Sequence, residues 1–173
     1  LLPALQDMGV DVVFGCLSPK GSPGADLGSM LESKNVRVVY IDEKKKISIK
    51  GLYGIYRTLI GSKADILHVH GYKATILGGM VAPLCNTPMI VTYHGEARQC
   101  PDLKSYVYVE NIFLRKLHHI VAVSDNIRRE LTGRGISEDR ILIIPNGIRD
   151  PIDSTKDHLV SENINKKSAN ILC

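Results

Sequence analysis

The chain has 173 residues, 44% of them hydrophobic and 23% charged, with a formal net charge of +4. That is enough for one ordinary domain with one core, and far from the charged, apolar-poor composition of disordered chains. The longest nearly uninterrupted apolar stretch, Ile76 to Cys85, is too short to span a bilayer, and a modest charge with no Trp and two Phe argues against a nucleic-acid partner.

Four cysteines at 16, 85, 100 and 173 form no Cys-x-x-Cys pair, which fits a reduced, cytoplasmic protein. The opening Leu1-Leu2-Pro3 carries neither an initiator Met nor a signal-type leader, so it reads as a position inside a larger protein. Leu2, Leu5 and Met8 followed by Gly9 describe a helix and its glycine stop. No strand precedes that helix, and a first strand with its glycine loop is expected to be missing.

Short β-branched runs then recur at Val10–Phe14, Val36–Ile41, Ile66–His70, Met89–Tyr93, Ile120–Val123 and Ile141–Ile144. Several are continuously apolar, as parallel strands covered on both faces are. Helical spacing appears between them: Leu52, Ile55 and Leu59; Leu77, Met80, Val81 and Leu84; Val109, Ile112, Phe113 and Leu117; Ile127 and Leu131. Strand and helix in alternation predict right-handed crossovers and an α/β, doubly wound parallel, Rossmann-like sheet. Residues 151–168 are polar, with Pro151, Asp153 and Ser154, as a linker is, and Ala169 to Cys173 resembles a new strand opening a further domain.

In such a sheet, ligands bind outside the carboxyl ends of the strands. The residues closing the proposed strands are Ser18, Asp42, His70-Gly71, His94-Gly95-Glu96, Ser124 and Asn146-Gly147. This line of polar and small residues along one edge is not demanded by any core periodicity. Glycines directly after His70 and His94 let a bulky polar ligand approach the backbone.

Four stretches in this order, Asp65-Ile66-Leu67-His68-Val69-His70-Gly71, Pro88-Met89-Ile90-Val91-Thr92-Tyr93-His94-Gly95-Glu96, Ile120-Val121-Ala122-Val123-Ser124 and Asp139-Arg140-Ile141-Leu142-Ile143-Ile144-Pro145-Asn146-Gly147-Ile148, resemble the N-terminal domain of a family-four retaining glycosyltransferase of the GT-B fold. The resemblance covers residues 1–150. It implies a two-domain enzyme that moves a sugar from a nucleotide-sugar donor to a glycan or lipid-linked acceptor. This chain would be the acceptor-side half, inactive alone, with 151–168 the interdomain linker and 169–173 the start of the donor-binding domain. It also implies no metal and no resident cofactor, the nucleotide sugar being a co-substrate. Where the family has Asp directly after the Asn146-Gly147-Ile148 motif, this chain has Arg149 before Asp150.

By the same resemblance, His94 faces the reacting sugar and is the expected catalytic residue; an oriented imidazole there can stabilise a developing oxocarbenium and a departing diphosphate. Gly95, Glu96, His70, Gly71, Ser124 and Asn146 are the expected substrate contacts. Each also has a structural reading. Ser124 suits a helix N-cap, Asn146-Gly147 a turn, and Glu96 a solvated loop. His68 and His70 share a strand face but lack a third metal ligand, so His68 reads as packed and His70 as a cleft-edge residue. The adjacent His118-His119 suits a helix C-terminus.

Between Lys44 and Lys63 lie six basic residues and no acidic one, interleaved with apolar and Tyr side chains. Such a segment can rest on an anionic membrane surface, here the inner face of the membrane, or be a solvated loop followed by a core helix; Leu52 and Ile55 cannot serve both roles. Two further function classes share the architecture, a nucleotide-sugar epimerase and a non-catalytic α/β binding module.

Overall fold

The computed structural model describes residues 2–22, 25–43, 47–95, 104–147 and 170–172. Along them run α1 (Leu2–Asp7), β1 (Asp11–Cys16), α2 (Asp26–Glu32), β2 (Arg37–Tyr40), α3 (Ile49–Ser62), β3 (Ile66–His70), α4 (Tyr72–Val81), β4 (Met89–Tyr93), α5 (Lys104–Leu114), β5 (Ile120–Ala122), α6 (Asp125–Gly133), β6 (Ile141–Ile143) and β7 (Asn170–Leu172). The strands form one sheet in the order β2-β1-β7-β3-β4-β5-β6, and every pairing is parallel. The doubly wound α/β architecture expected from the alternation of runs is therefore present.

Strand alternation divides the core into two layers. Val12 packs with Leu31 and Val36 beneath α1 and α2, while Val13, Leu67, Val69 and Val91 meet Ile55, Leu59, Leu77 and Leu114 of α3, α4 and α5 on the other face. Helix starts follow local chemistry. The Ser48 hydroxyl accepts a hydrogen bond from the Gly51 amide at 3.1 Å to open α3, and Ser124 does the same for the Ile127 amide at 3.3 Å to open α6. α3 stops at Lys63, which takes the left-handed conformation with φ 49°.

The chain leaves β1 for β2 in one direction, returns through α3 to β3, and then proceeds outward through β4, β5 and β6. The reversal falls between β1 and β3, which puts the topological switch point there. β7 holds the strand position between them, pairing Asp11–Val13 on one side and Ile66–Leu67 on the other. Asn170–Leu172, expected to open a further domain, thus lie within this sheet, where they give the inner sides of β1 and β3 a backbone partner. The expected linker at 151–168 lies outside the described residues.

Three features differ from the periodicity. The Gly and Pro around α2 conceal it in the sequence, yet Gly28 suits the helix, because a Cβ there would come within 2.9 Å of the Tyr40 hydroxyl and displace that ring. α5 turns Glu110 and Leu114 inward and leaves Ile112 exposed, since it packs beside α4 as well as over the sheet. α5 ends at Leu114, so His118 and His119 sit exposed in the turn before β5 and close no helix.

Candidate functional site

β3 and β4 are neighbours in register, with His68 opposite Ile90 and His70 opposite Thr92. Side chains alternate, so His68, His70, Thr92 and His94 share one face at the carboxyl end of this strand pair. The His68 Nε2 lies 2.7 Å from the Thr92 hydroxyl, and the His70 Nδ1 lies 3.2 Å from the His94 Nε2. The rings form a row: His68 and His70 centroids are 4.6 Å apart at 38°, and His70 and His94 are 5.6 Å apart at 30°.

Burial lowers the His68 pKa. His70 is exposed, yet partial desolvation of its ring, followed by the neighbouring His68 and His94 rings, pushes its pKa down to about 4. At neutral pH His70 is therefore an uncharged imidazole with one N–H donor and one acceptor nitrogen. In the contact with His94, one ring donates and the other accepts. The pair can orient an imidazole toward a ligand without adding a fixed cation.

Behind the pair, β4 is held by α6. Gly95 has φ +83°, and a Cβ there would lie 2.5 Å from the Ile127 Cδ1. On the opposite strand face the buried Tyr93 hydroxyl donates to Glu130 Oε1 at 3.3 Å, and Arg134 Nη2 donates to the same oxygen at 2.7 Å. The Arg134 guanidinium also lies 5.0 Å from the Tyr93 ring centre. Glu110 Oε2 is 3.6 Å from Arg134 Nη1, beyond hydrogen-bond length, with both residues buried. Desolvation outweighs Arg134 and raises the Glu110 pKa to about 7. This network was not legible in the sequence, because Glu110, Glu130 and Arg134 meet only once α5 and α6 pack together.

A second buried carboxylate joins α3 to the histidine edge. Glu43, just beyond β2, accepts a 2.5 Å hydrogen bond from the Ser48 hydroxyl, and its Oε1 lies 3.4 Å from the Lys73 ammonium. Lys73 also donates to the Glu43 carbonyl at 3.1 Å. Asp42, expected at this strand end, is exposed, and Glu43 is the inward residue. Gly51 makes room for it, since a Cβ there would collide with the carboxylate.

The expected site residues separate into groups. His70 and His94 meet directly, with Gly95 following His94 and Gly71 (φ +80°) leading into α4. Ser124 stands at the end of the adjacent β5, with its hydroxyl occupied as a cap. Asn146 is exposed three residues beyond β6, two strand positions from β4. Glu96 lies outside the described residues, as do Arg149, Asp150 and Lys44–Lys46.

A largely apolar cavity of about 640 Å³ opens at the switch point, with Phe14, Gly15 and Cys16 of β1 on one wall and His68, Val69 and His70 on the other. β7 pairs with Asp11–Val13 of β1 and Ile66–Leu67 of β3, and among the described residues no strand lies between the carboxyl ends of those two strands. The doubly wound topology places a ligand crevice in this position.

The model of Glycosyltransferase Family 4 matches residues 1–150. An Escherichia coli UDP-Gal:alpha-D-GlcNAc-diphosphoundecaprenol alpha-1,3-galactosyltransferase is 34% identical over 107 residues, covering 58% of this chain and 27% of that protein. Anabaena HepE, solved in complex with UDP and glucose, superposes with TM-score 0.61 at 15% identity, covering 80% of this chain and 45% of the other. Its complex with UDP-glucose gives 0.62 at 15% identity, covering 79% and 44%. The chain thus spans under a third of the curated relative and less than half of the solved structures.

Proposed function

We propose, from the premise that this chain belongs to Glycosyltransferase Family 4, that it is the acceptor-side half of a GT-B enzyme that moves a sugar from a nucleotide-sugar donor to a lipid-linked glycan acceptor. The relative's printed name includes a UDP-sugar and a diphosphoundecaprenol-linked acceptor, and the HepE complexes hold UDP with glucose or UDP-glucose. The observation that carries the reading is the His70–His94 pair beside the switch-point cavity.

In this reading His94 meets the reacting sugar, and His70 holds the His94 ring in place. The anomeric carbon–oxygen bond to the diphosphate breaks while the acceptor oxygen bonds to the same carbon from the same face, so configuration is retained. The acceptor proton passes to the departing phosphate oxygen. The imidazole contributes an oriented hydrogen bond where charge develops. Gly71 and Gly95 keep the backbone accessible beside it, Glu96 and Asn146 are acceptor contacts, and Ser124 serves its helix.

The test is transfer from UDP-galactose or UDP-glucose to a GlcNAc-diphosphate lipid by the protein carrying this chain, with product configuration read by NMR. His94→Ala is expected to lower turnover on the order of 100-fold or more with folding intact. Undiminished turnover would make this edge a binding surface, and an inverted product would overturn the retaining mechanism.

A further inference from the structure

α3 has two separate apolar faces. Ile55, Thr58 and Leu59 are buried against the sheet, and Leu52 packs beside them. Ile49, Tyr53, Tyr56 and Ile60 point outward, with 84%, 59%, 39% and 52% of their surfaces exposed. At 100° per residue, positions 49, 53, 56 and 60 fall within about a 60° arc, on the opposite side of the helix from Thr58. The conflict seen in the sequence disappears, because the core and the outer stripe use different residues.

Lys50 and Arg57 lie along one flank of that stripe, both exposed, and the helix contains no acidic residue. Arg57 Nη1 donates to the Tyr53 hydroxyl at 3.5 Å, and its guanidinium is 5.9 Å from the Tyr53 ring centre, so this cation is carried at the level of the aromatic. Isoleucines and tyrosines bordered by cations, on a convex helix with no acid, match the acyl boundary and headgroup layer of an anionic bilayer. A second copy of the chain fits less well, since a two-fold pairing of this face would bring Lys50 and Arg57 toward their own equivalents.

The position of the helix strengthens the assignment. Its N-cap, Ser48, is bonded to Glu43, which is paired with Lys73, three residues beyond His70. α3 therefore begins on the rim that carries the histidines. We infer that the outward face of α3, through Ile49, Tyr53, Tyr56 and Ile60 with Lys50 and Arg57, docks on an anionic lipid bilayer and holds the His70–His94 edge near the membrane surface. This rests on the lipid-linked-acceptor reading above.

The experiment is flotation of the protein carrying this chain with vesicles of phosphatidylcholine alone or with 30% phosphatidylglycerol, without acceptor. Preferential binding to the anionic vesicles is expected, weakened at least tenfold by Ile49→Glu/Ile60→Glu. Lys50→Gln/Arg57→Gln should weaken it by about fivefold per cation removed and leave a smaller salt dependence. The two double variants check each other should one fail to fold. No binding, equal binding to neutral vesicles, or unchanged binding by both variants overturns the inference. So does a wild-type dimer that Ile49→Glu/Ile60→Glu splits. Transfer to a water-soluble short-chain acceptor should be unchanged in both variants. If vesicle binding behaves as expected but wild type transfers no sugar, the docking face stands and the transferase reading falls.

Discussion

The His70 Nδ1 lies 3.2 Å from the His94 Nε2 across the β3–β4 pair, with His68 stacked behind His70 and anchored in turn by Thr92. The row couples the expected catalytic imidazole to a neutral neighbour. Because His70 has a folded pKa near 4, below the roughly 6.5 of an unfolded histidine, the unfolded chain binds more protons between those values. This contribution to stability is fully present above about pH 6.5 and is lost as pH falls toward 4. Nitrogen-15 NMR of the ring should find His70 uncharged at pH 5.5; a midpoint near 6.5 would mean that the ring is as fully solvated as in the unfolded chain. His70→Asn should flatten the acid limb of stability and change the pH profile of turnover through His94, more than a simple packing loss would.

Glu110 works in the opposite sense. Its folded pKa near 7 lies above the ordinary 4.5, so the native state binds more protons in that interval. Its contribution is greatest below pH 4.5 and declines as pH rises to 7, by on the order of 1 to 3 kcal/mol. Denaturant titrations of Glu110→Gln against wild type at pH 5 and 7.5 should show this slope removed. Arg134→Met should cost about 3 to 5 kcal/mol at neutral pH, because it removes the cation beside the buried Glu110. A cost below 1 kcal/mol would mean that the guanidinium is dispensable there.

Much of this arrangement is legible in the sequence, because strand runs end in unusual residues. His70-Gly71 and His94-Gly95 stand out since nothing about core packing asks for a histidine and a glycine there. What periodicity cannot reveal is partnership across elements. Thr92 reads as an ordinary strand residue until register places it beside His70, and Glu43 looks exposed until Gly51 lets α3 close over it. α3 itself reads as one amphipathic segment, whereas its two apolar stripes are distinguishable only when the buried side is known.

Ser124 separates capping from ligand contact. Its hydroxyl accepts from the Ile127 amide, so Ser124→Ala should cost about 1 kcal/mol in a thermal melt. Turnover per folded molecule should be unchanged. A raised KM with unaltered stability would instead give this serine a role in binding.

Gly95 links the histidine edge to α6. Its φ of +83° disfavours any L side chain, and a Cβ would strike Ile127. Gly95→Ala is therefore expected to cost about 1 to 3 kcal/mol and to lower turnover through displacement of His94. Gly95→Ala/Ile127→Ala should recover part of the lost stability, since it removes the collision but keeps the backbone strain. Full recovery would mean that the collision alone matters, and no recovery that the conformation alone does.

β7 makes a demanding prediction about the sheet. Ile171 is opposite Val12 of β1 and Ile66 of β3, so its amide sits between two ladders in the interior of the sheet. Proline there removes a donor and cannot be accommodated as it would be on an edge strand. Ile171→Pro is expected to lower stability by about 3 kcal/mol. It should also speed amide exchange at Val12, Val13 and Leu67, the neighbours facing the slot, and leave the β5–β6 pair protected. Exchange confined to residues after 170 would mean that β1 and β3 do not depend on this strand.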